Sequence, residues 1–322
     1  MPSLFGDAGA WLCCQLHAHT TNSDGEPSPA ELCAHYAGAG FDVLAITDHW
    51  HVTEYEHDGL LVLPGSELSA HAPTPSGEAE ALALGVAELP ELREPFGDIE
   101  AMAAWIAAHG GVPVLCHPYW SGLRAEDILA APSLAALEVW NGASEVMHGN
   151  GLSTVHWDEV LQQGRLLGGI ATDDCHAPGQ DSGFGWTWVR AAERSAPAVL
   201  DALRDGRSYG SSGPRLLDVD VDVEGAVVRC SAARSVRLRS GPWNGCAVNA
   251  DPAACDWRGR PLERDGDRLV TAARLERPEL WQWARVEVED ASGRRAWSNP
   301  FLFDEANRGD RSDGGTIAYG SP

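Results

Sequence analysis

The sequence predicts an α/β fold: a barrel of parallel strand–loop–helix units followed by a small antiparallel β-sandwich. Three observations predict it. Short apolar runs alternate with helical stretches over the first two thirds of the chain, side chains able to ligate metals gather where those runs end, and beyond Pro214 the pattern turns to strict apolar–polar alternation. The chain has 322 residues, enough for one large α/β domain and something smaller, and its apolar fraction of 44% is that of an ordinary globular protein.

The first strand is the apolar run Trp11 to Cys14, and it leads into Leu16-His17-Ala18-His19-Thr20-Thr21-Asn22-Ser23-Asp24. Two histidines one residue apart on an extended backbone share a face, because side chains alternate with period two. Asp24 follows on a loop whose Asn22, Ser23 and Gly25 favour turns. Taken alone, the pair reads as two surface histidines. The same chemistry recurs, however, at later strand ends. Pro27 and Pro29 open a helix over Ala30 to Gly40, and the apolar run Val43 to Ile46 ends in Thr47-Asp48-His49. Leu60 to Leu63 is the next strand, followed by a loop, Pro64-Gly65-Ser66-Glu67. Ala81 to Val86 is another apolar run, and Ile99 to His109 is a helix closed by Gly110-Gly111. Val112 to Cys116 delivers His117; Leu134 to Trp140 carries Asn141; Leu166 to Ala171 carries Thr172-Asp173-Asp174-Cys175-His176. Strand C-termini converge on one mouth of a parallel barrel, so the residues at 17, 19, 24, 49, 67, 117, 174 and 176 are expected to meet in one site.

The C-terminal part reads differently. Leu217 to Val223 and Ala284 to Glu289 alternate strictly, with shorter apolar runs at Val227, Val236 and Leu269 between them. The domains are therefore expected at 1–215 for the barrel and 216–303 for the β-sandwich, with 304–322 a polar, glycine-rich mobile tail. The sandwich carries no ligand cluster, so its expected role is packing, against the barrel or a second subunit in a homo-oligomer.

Composition excludes several function classes. The formal charge is −24, and there is no lysine, so all 23 basic residues are arginine. Such a surface repels phosphate backbones and anionic lipid, which argues against a nucleic-acid scaffold or a membrane protein. The first ten residues lack the basic start and apolar core of a signal peptide, so the cytoplasm is the expected location. The eight cysteines form no Cys-x-x-Cys knuckles. Most are expected as small buried thiols in a reducing compartment, with Cys246 and Cys255 the one pair to check for a bridge.

His17-x-His19 with a following Asp24, Thr47-Asp48-His49, the carboxylate Glu67, His117-Pro118 and Asp174-x-His176 together resemble the polymerase and histidinol phosphatase (PHP) family. The resemblance covers about residues 11 to 215 and implies a distorted seven-stranded (β/α) barrel holding two or three divalent ions. Asp173-Asp174-Cys175-His176, Ala202 to Tyr209, Ser211 to Pro214 and Trp297-Ser298-Asn299-Pro300 are similar to the branch grouped with carbaryl-hydrolase-type metallohydrolases. Carried over by position, His17, His19, Glu67 and Asp174 hold a first metal, Glu67 bridges to a second that also takes His117, and Asp24, His49 and His176 hold a third. Relatives often place another histidine before the strand at Ala81, where this chain has Glu78 and Glu80. Glu80 is either a carboxylate ligand, favouring Mn²⁺ over Zn²⁺, or a solvated turn residue; Fe²⁺ is a further candidate ion.

Glu67 and Asp174 are expected at the reacting centre. His51 and His71 are candidates to touch substrate or leaving group, and Arg124 to bind an anionic group by its planar fork, unless it is a surface cap. His35, His109, His57, His148 and His156 read as surface residues, and Trp120, Trp140, Trp186 and Trp188 as pocket lining or packing. The function this implies is a metal-dependent hydrolase of small phosphate esters, because bound ions lower the pKa of water to about 7 and neutralise charge building on the substrate. A carbamate, ester or amide hydrolase on the same site is the enzymatic alternative. A non-catalytic metal-binding module serving a partner is the other.

Overall fold

In this computed structural model the described residues are 3–6, 9–241, 244–251, 253–266, 268–277 and 283–303. The tail expected from residue 304 onward lies outside them. The first part runs β1 (Ala10–Gln15), α1 (Pro29–Gly38), β2 (Val43–Ala45), β3 (Leu61–Leu63), β4 (Glu67–His71), β5 (Glu78–Leu84), α2 (Ile99–Ala108) and β6 (Val112–Leu115). It continues through α3 (Pro118–Ser121), α4 (Ala125–Leu129), β7 (Ala136–Asn141), α5 (Gly142–His148), α6 (Thr154–Gln162), β8 (Gly168–Thr172), β9 (Trp186–Ala191), α7 (Ala196–Arg204) and β10 (Ser208–Ser211). The remainder is all strand: β11 (Leu216–Asp222), β12 (Gly225–Ala233), β13 (Ser235–Arg239), β14 (Gly245–Asn249), β15 (Gly259–Asp265), β16 (Leu269–Glu276), β17 (Trp283–Glu289), β18 (Arg295–Ser298) and β19 (Phe301–Leu302).

The fold is mixed α/β and rich in strands. Parallel pairing holds for β1–β2–β3 and for β6–β7–β8. Between these arcs the expected all-parallel alternation fails. β4 and β5 form an antiparallel hairpin, and β5 pairs antiparallel with β6. The reason is local: only residues 72–77 separate the two strands, too few for a crossover helix. Glu67, expected in a loop, instead opens β4. Isolated parallel bridges, His49 to Glu67 and Ala18 to Cys175, join the two arcs at the end where the histidines lie. The arcs share an interior of small and branched side chains, among them Leu12, Cys14, Leu82, Val114, Ala136 and Ile170.

Individual elements follow their sequence signals. Ser28 and Glu31 form a reciprocal capping box at the start of α1, with Pro29 in the first turn. Asp98 caps α2 by accepting the Ala101 N–H at 2.7 Å. The alternation in β11 places Val219 and Val221 inward.

The C-terminal strands make two antiparallel layers around a core that includes Val219, Val228, Val236, Leu275 and Val286. One layer is β11-β12-β16-β15. The other, β14-β13-β17-β18, continues through β10 and β9 into β1, so one sheet crosses the expected boundary at 215/216. All eight cysteines are free, including the two singled out for a check: Cys246 is buried and Cys255 exposed. No helix among the described residues is long and apolar enough to cross a membrane.

Candidate metal centre

Beyond Gln15 the chain stays extended while Ala18 packs among Leu32, Tyr36 and Ile46, which turns both flanking histidines the other way. His17 and His19 are fully buried, with their Nε2 atoms 3.1 Å apart. Glu67 Oε2 lies 3.1 Å from His17 Nε2 and 3.3 Å from His19 Nε2, and Asp174 Oδ1 lies 3.2 and 3.3 Å from the same two atoms. Ligands at about 2.0–2.2 Å around a tetrahedral ion stand roughly 3.3–3.6 Å from one another. The quartet therefore has the composition and nearly the spacing of a divalent cation site. Asp174 Oδ1 and Glu67 Oε1 are buried and accept no hydrogen bond. A cation is the partner that would satisfy them.

The quartet is oriented from behind. Glu138 is fully buried; its Oε1 lies 2.7 Å from His17 Nδ1 and accepts from Thr172 Oγ1 at 2.6 Å. Its Oε2 accepts the His117 N–H at 2.9 Å and Asn141 Nδ2 at 2.8 Å. With the Nδ1 hydrogen bonded to Glu138, His17 presents a lone pair on Nε2 to the quartet. Asn141 also donates to Asp174 Oδ2 at 3.1 Å. On the other side, Asp48 accepts from the Thr20 N–H and from the hydroxyls of Thr20, Ser23 and Thr53, fixing the loop that carries Asp24. Gly25 anchors the same loop: a Cβ there would stand 2.4 Å from the His19 carbonyl.

Two further groups adjoin the first. Glu67 Oε1 lies 3.5 Å from His117 Nε2, so the two oxygens of Glu67 face different neighbours. Glu80 joins here, with Oε2 3.7 Å from His117 Nε2 and Oε1 3.8 Å from His49 Nδ1. It can do so because β5 runs against β4 and β6, which brings its N-terminal end to the mouth. Glu78, one turn of the pleat earlier, is exposed. The third group is Asp24, His49, His176 and His19. Asp24 Oδ2 lies 3.6 Å from both His49 Nε2 and His176 Nε2, while His176 Nδ1 donates to the Asp174 carbonyl at 2.9 Å.

Electrostatics bind these groups together. Burial alone would raise the carboxyls of Glu67 and Asp174 and lower the imidazoles of His17, His19 and His117. Their mutual charges and hydrogen bonds outweigh it, holding both carboxyls well below the usual range, His17 well above the usual imidazole value, and His19 and His117 at about 9. The neighbouring imidazoles, His176 foremost, hold Asp24 low as well. Glu80 is pushed up to about 7 by burial and by the charge of Glu67. In ion-free protein, protons thus stand where cations would.

All nine sequence-predicted ligands converge, from His17 to His176. Of the other expected site residues, Arg124, His51 and His71 lie apart from the cluster. Arg124 is exposed and paired with Glu126 at 3.1 Å, at the start of α4. His51 borders a separate cavity of about 360 Å³ with Val52, Leu89 and Arg93. His71 is exposed at the end of β4. Trp120 packs edge-on against the His117 ring at 4.8 Å, and Trp140 stacks on Trp297. Glu138 and its role were missed. Its signal was a lone carboxylate inside the apolar run Leu134 to Trp140, in phase with the interior-facing Ala136.

Fold and site define a mixed α/β protein with a buried histidine–carboxylate centre of metal-binding composition. No family model and no curated protein matches the chain. Among solved structures, it is similar to a two-domain protein from Bacteroides vulgatus containing a predicted PHP-like metal-dependent phosphoesterase, at 17% identity and a TM-score of 0.48, over 92% of this chain and 95% of the other. It is also similar to an amidohydrolase from Chromobacterium violaceum with bound sulfate and no metal, at 18% identity and a TM-score of 0.39, over 52% of this chain and 89% of the other.

Proposed function

We propose that this protein is a metal-dependent phosphoesterase of the PHP type acting on small phosphate esters. The observation that carries the reading is the quartet His17–His19–Glu67–Asp174, whose buried Asp174 Oδ1 has no hydrogen-bond partner. His17, His19, Glu67 and Asp174 would hold one divalent ion, Glu67, His117 and Glu80 a second, and Asp24, His49 and His176 a third, with Mn²⁺ or Zn²⁺ as the ions. When bound, the ions would supply water of lowered pKa and neutralise charge developing on the substrate oxygens. Glu138 holds the His17 ring by Nδ1, Ser121 holds His117 by Nδ1 at 3.0 Å, and Asn141 steadies Asp174. These contacts keep the donor atoms aimed at the centre before any ion arrives.

The second reading is hydrolysis of a neutral carbamate or carboxylic ester on the same site. One placement favours it: Arg124 turns to Glu126 and leaves the cluster without the guanidinium expected for a phosphate. Parallel assays of metal-loaded protein on aryl phosphomonoesters, phosphodiesters, aryl carbamates and carboxylic esters decide between them. Phosphoester turnover that chelation removes, and that His17→Ala and Asp174→Ala abolish, is the expected result. Turnover confined to carbamates or esters would replace the first reading by the second.

A further inference from the structure

Trp50 stands directly between His49 and His51, and its backbone is left-handed, with φ +49°. A bulky side chain rarely adopts that conformation. Among the described residues three other non-glycine residues share positive φ, and two of them, His117 and Asp174, belong to the metal centre. Strained backbone persists where its surroundings over-determine it. For Trp50 every such anchor leads to one strand, β4. Its N–H donates to the Glu67 carbonyl at 3.0 Å and its indole N–H to Ser69 Oγ at 3.4 Å. Its ring stacks on Phe96, with centroids 5.9 Å apart and planes 16° off parallel. Phe96 is itself tied to β4, donating to the Ser69 carbonyl and accepting the His71 N–H, each at 2.9 Å.

The left-handed turn sends the indole toward the apolar cluster of Leu68, Ala70 and Met102 while His49 faces the centre. His49 Nε2 is thereby set 3.6 Å from Asp24 Oδ2, and its Nδ1 3.5 Å from Glu67 Oε2. We infer that Trp50 is a positioning residue that fastens His49 to the strand carrying Glu67, and so sets the affinity of the ion His49 would ligate. The inference rests on the metal-centre reading. It adds that an indole pointing away from the centre controls one ion and leaves the His17–His19–Glu67–Asp174 ion alone.

The test is ion stoichiometry and chelator-competition titration with Mn²⁺ and Zn²⁺ on the full chain, alongside thermal melts, for wild type, Trp50→Phe, Trp50→Ala, Trp50→Gly and Phe96→Ala. Loss of a group that orients a ligand weakens metal affinity by about ten- to a hundredfold. Trp50→Ala and Trp50→Gly are expected to show that loss for one ion while retaining the tightest. Glycine accepts the left-handed backbone freely, so its failure to rescue would locate the effect in the indole. Trp50→Phe keeps the stack on Phe96 and should restore affinity to within about threefold of wild type. If Trp50→Ala does not fold, Phe96→Ala, which removes the stack and a ring contact with Trp105 but leaves the indole and its hydrogen bond to Ser69 in place, decides by the same readout. Variants that melt lower yet titrate every ion as wild type does would overturn the inference, and so would equal weakening of all ions. Wild type that binds no divalent ion would overturn the metal-centre reading itself.

Discussion

Glu80 shows how a single position changes its meaning with its strand. In sequence it stands near Glu78 and reads either as a ligand or as a solvated turn carboxylate. In the fold the two share a face of β5, but Glu80 is one pleat further in, between His49 and His117, while Glu78 is exposed. Glu80→Ala should therefore lower the occupancy of one ion and cut turnover by about tenfold or more, whereas Glu78→Ala should leave both unchanged. Glu80→His should shift preference toward Zn²⁺, since it replaces a carboxylate by an imidazole. Elemental analysis with steady-state rates checks all three, and equal results at 78 and 80 would place Glu80 outside the centre. Glu138 makes the complementary point. A buried carboxylate in an apolar strand is visible in the sequence, but its four partners, His17, His117, Asn141 and Thr172, come from four stretches of chain, only one of them its own strand.

Elements carry the next layer of control. The loop from Thr20 to Ser28 connects β1 to α1 and delivers Asp24, and it is fixed by Asp48 at one end and the Ser28 capping box at the other. Gly25 lets the loop pass against His19, where an added methyl would meet the carbonyl at 2.4 Å, too close for the backbone to absorb without moving. Gly25→Ala should displace Asp24 and weaken the ion shared with His49 and His176, with little effect on the His17–His19 ion. Metal titration reads this directly; unchanged affinity for every ion would show that Asp24 takes no part. Most of the strands in the first part were legible from their apolar runs, from Trp11–Cys14 to Leu166–Ala171, but β4, β9 and β10, with shorter or more polar sequences, were not. The hairpin was not, because an apolar run reports burial and carries no record of strand direction.

At the scale of the whole molecule, the C-terminal strands are fastened to the part that carries the metal-binding cluster at several points. β18 pairs with β10, Trp297 is fully buried against Trp140, and Asn299 Oδ1 accepts the Gly169 N–H of β8 at 2.7 Å. Arg285, buried on β17, grips Asp158 of α6 through two bonds of 2.8 and 3.1 Å. A chain ending at residue 215 should consequently fail to fold, leaving Trp140 and Asp158 without these partners; a soluble, cooperatively melting fragment would show the parts to be independent. The centre also couples charge to global stability. His19 and His117 rise from 6.5 to about 9 in ion-free protein. Their contribution is fully present below pH 6.5 and is lost as pH rises through 9, the same window in which protons cease to compete with metal. The difference in Tm between ion-loaded and ion-free protein should therefore widen from pH 6.5 to 9, and a constant difference would refute the coupling.

The amino-acid sequence by itself determined the α/β class, the alternating strands beyond Pro214 and the residue types of the centre, because periodicity and ligand chemistry are local properties of a few neighbouring residues. It also determined that His17 and His19 share a face, since period two holds on any extended backbone. Only the tertiary structure decided that β4 and β5 pair antiparallel, that one sheet runs from β1 through β10 into the C-terminal layer, that Glu80 enters the cluster while Arg124 does not, and that Glu138 and Trp50 stand behind the histidines. Each of these depends on which distant segments pair and in which direction. That choice is made by packing across the whole chain, and a run of apolar residues is compatible with either outcome.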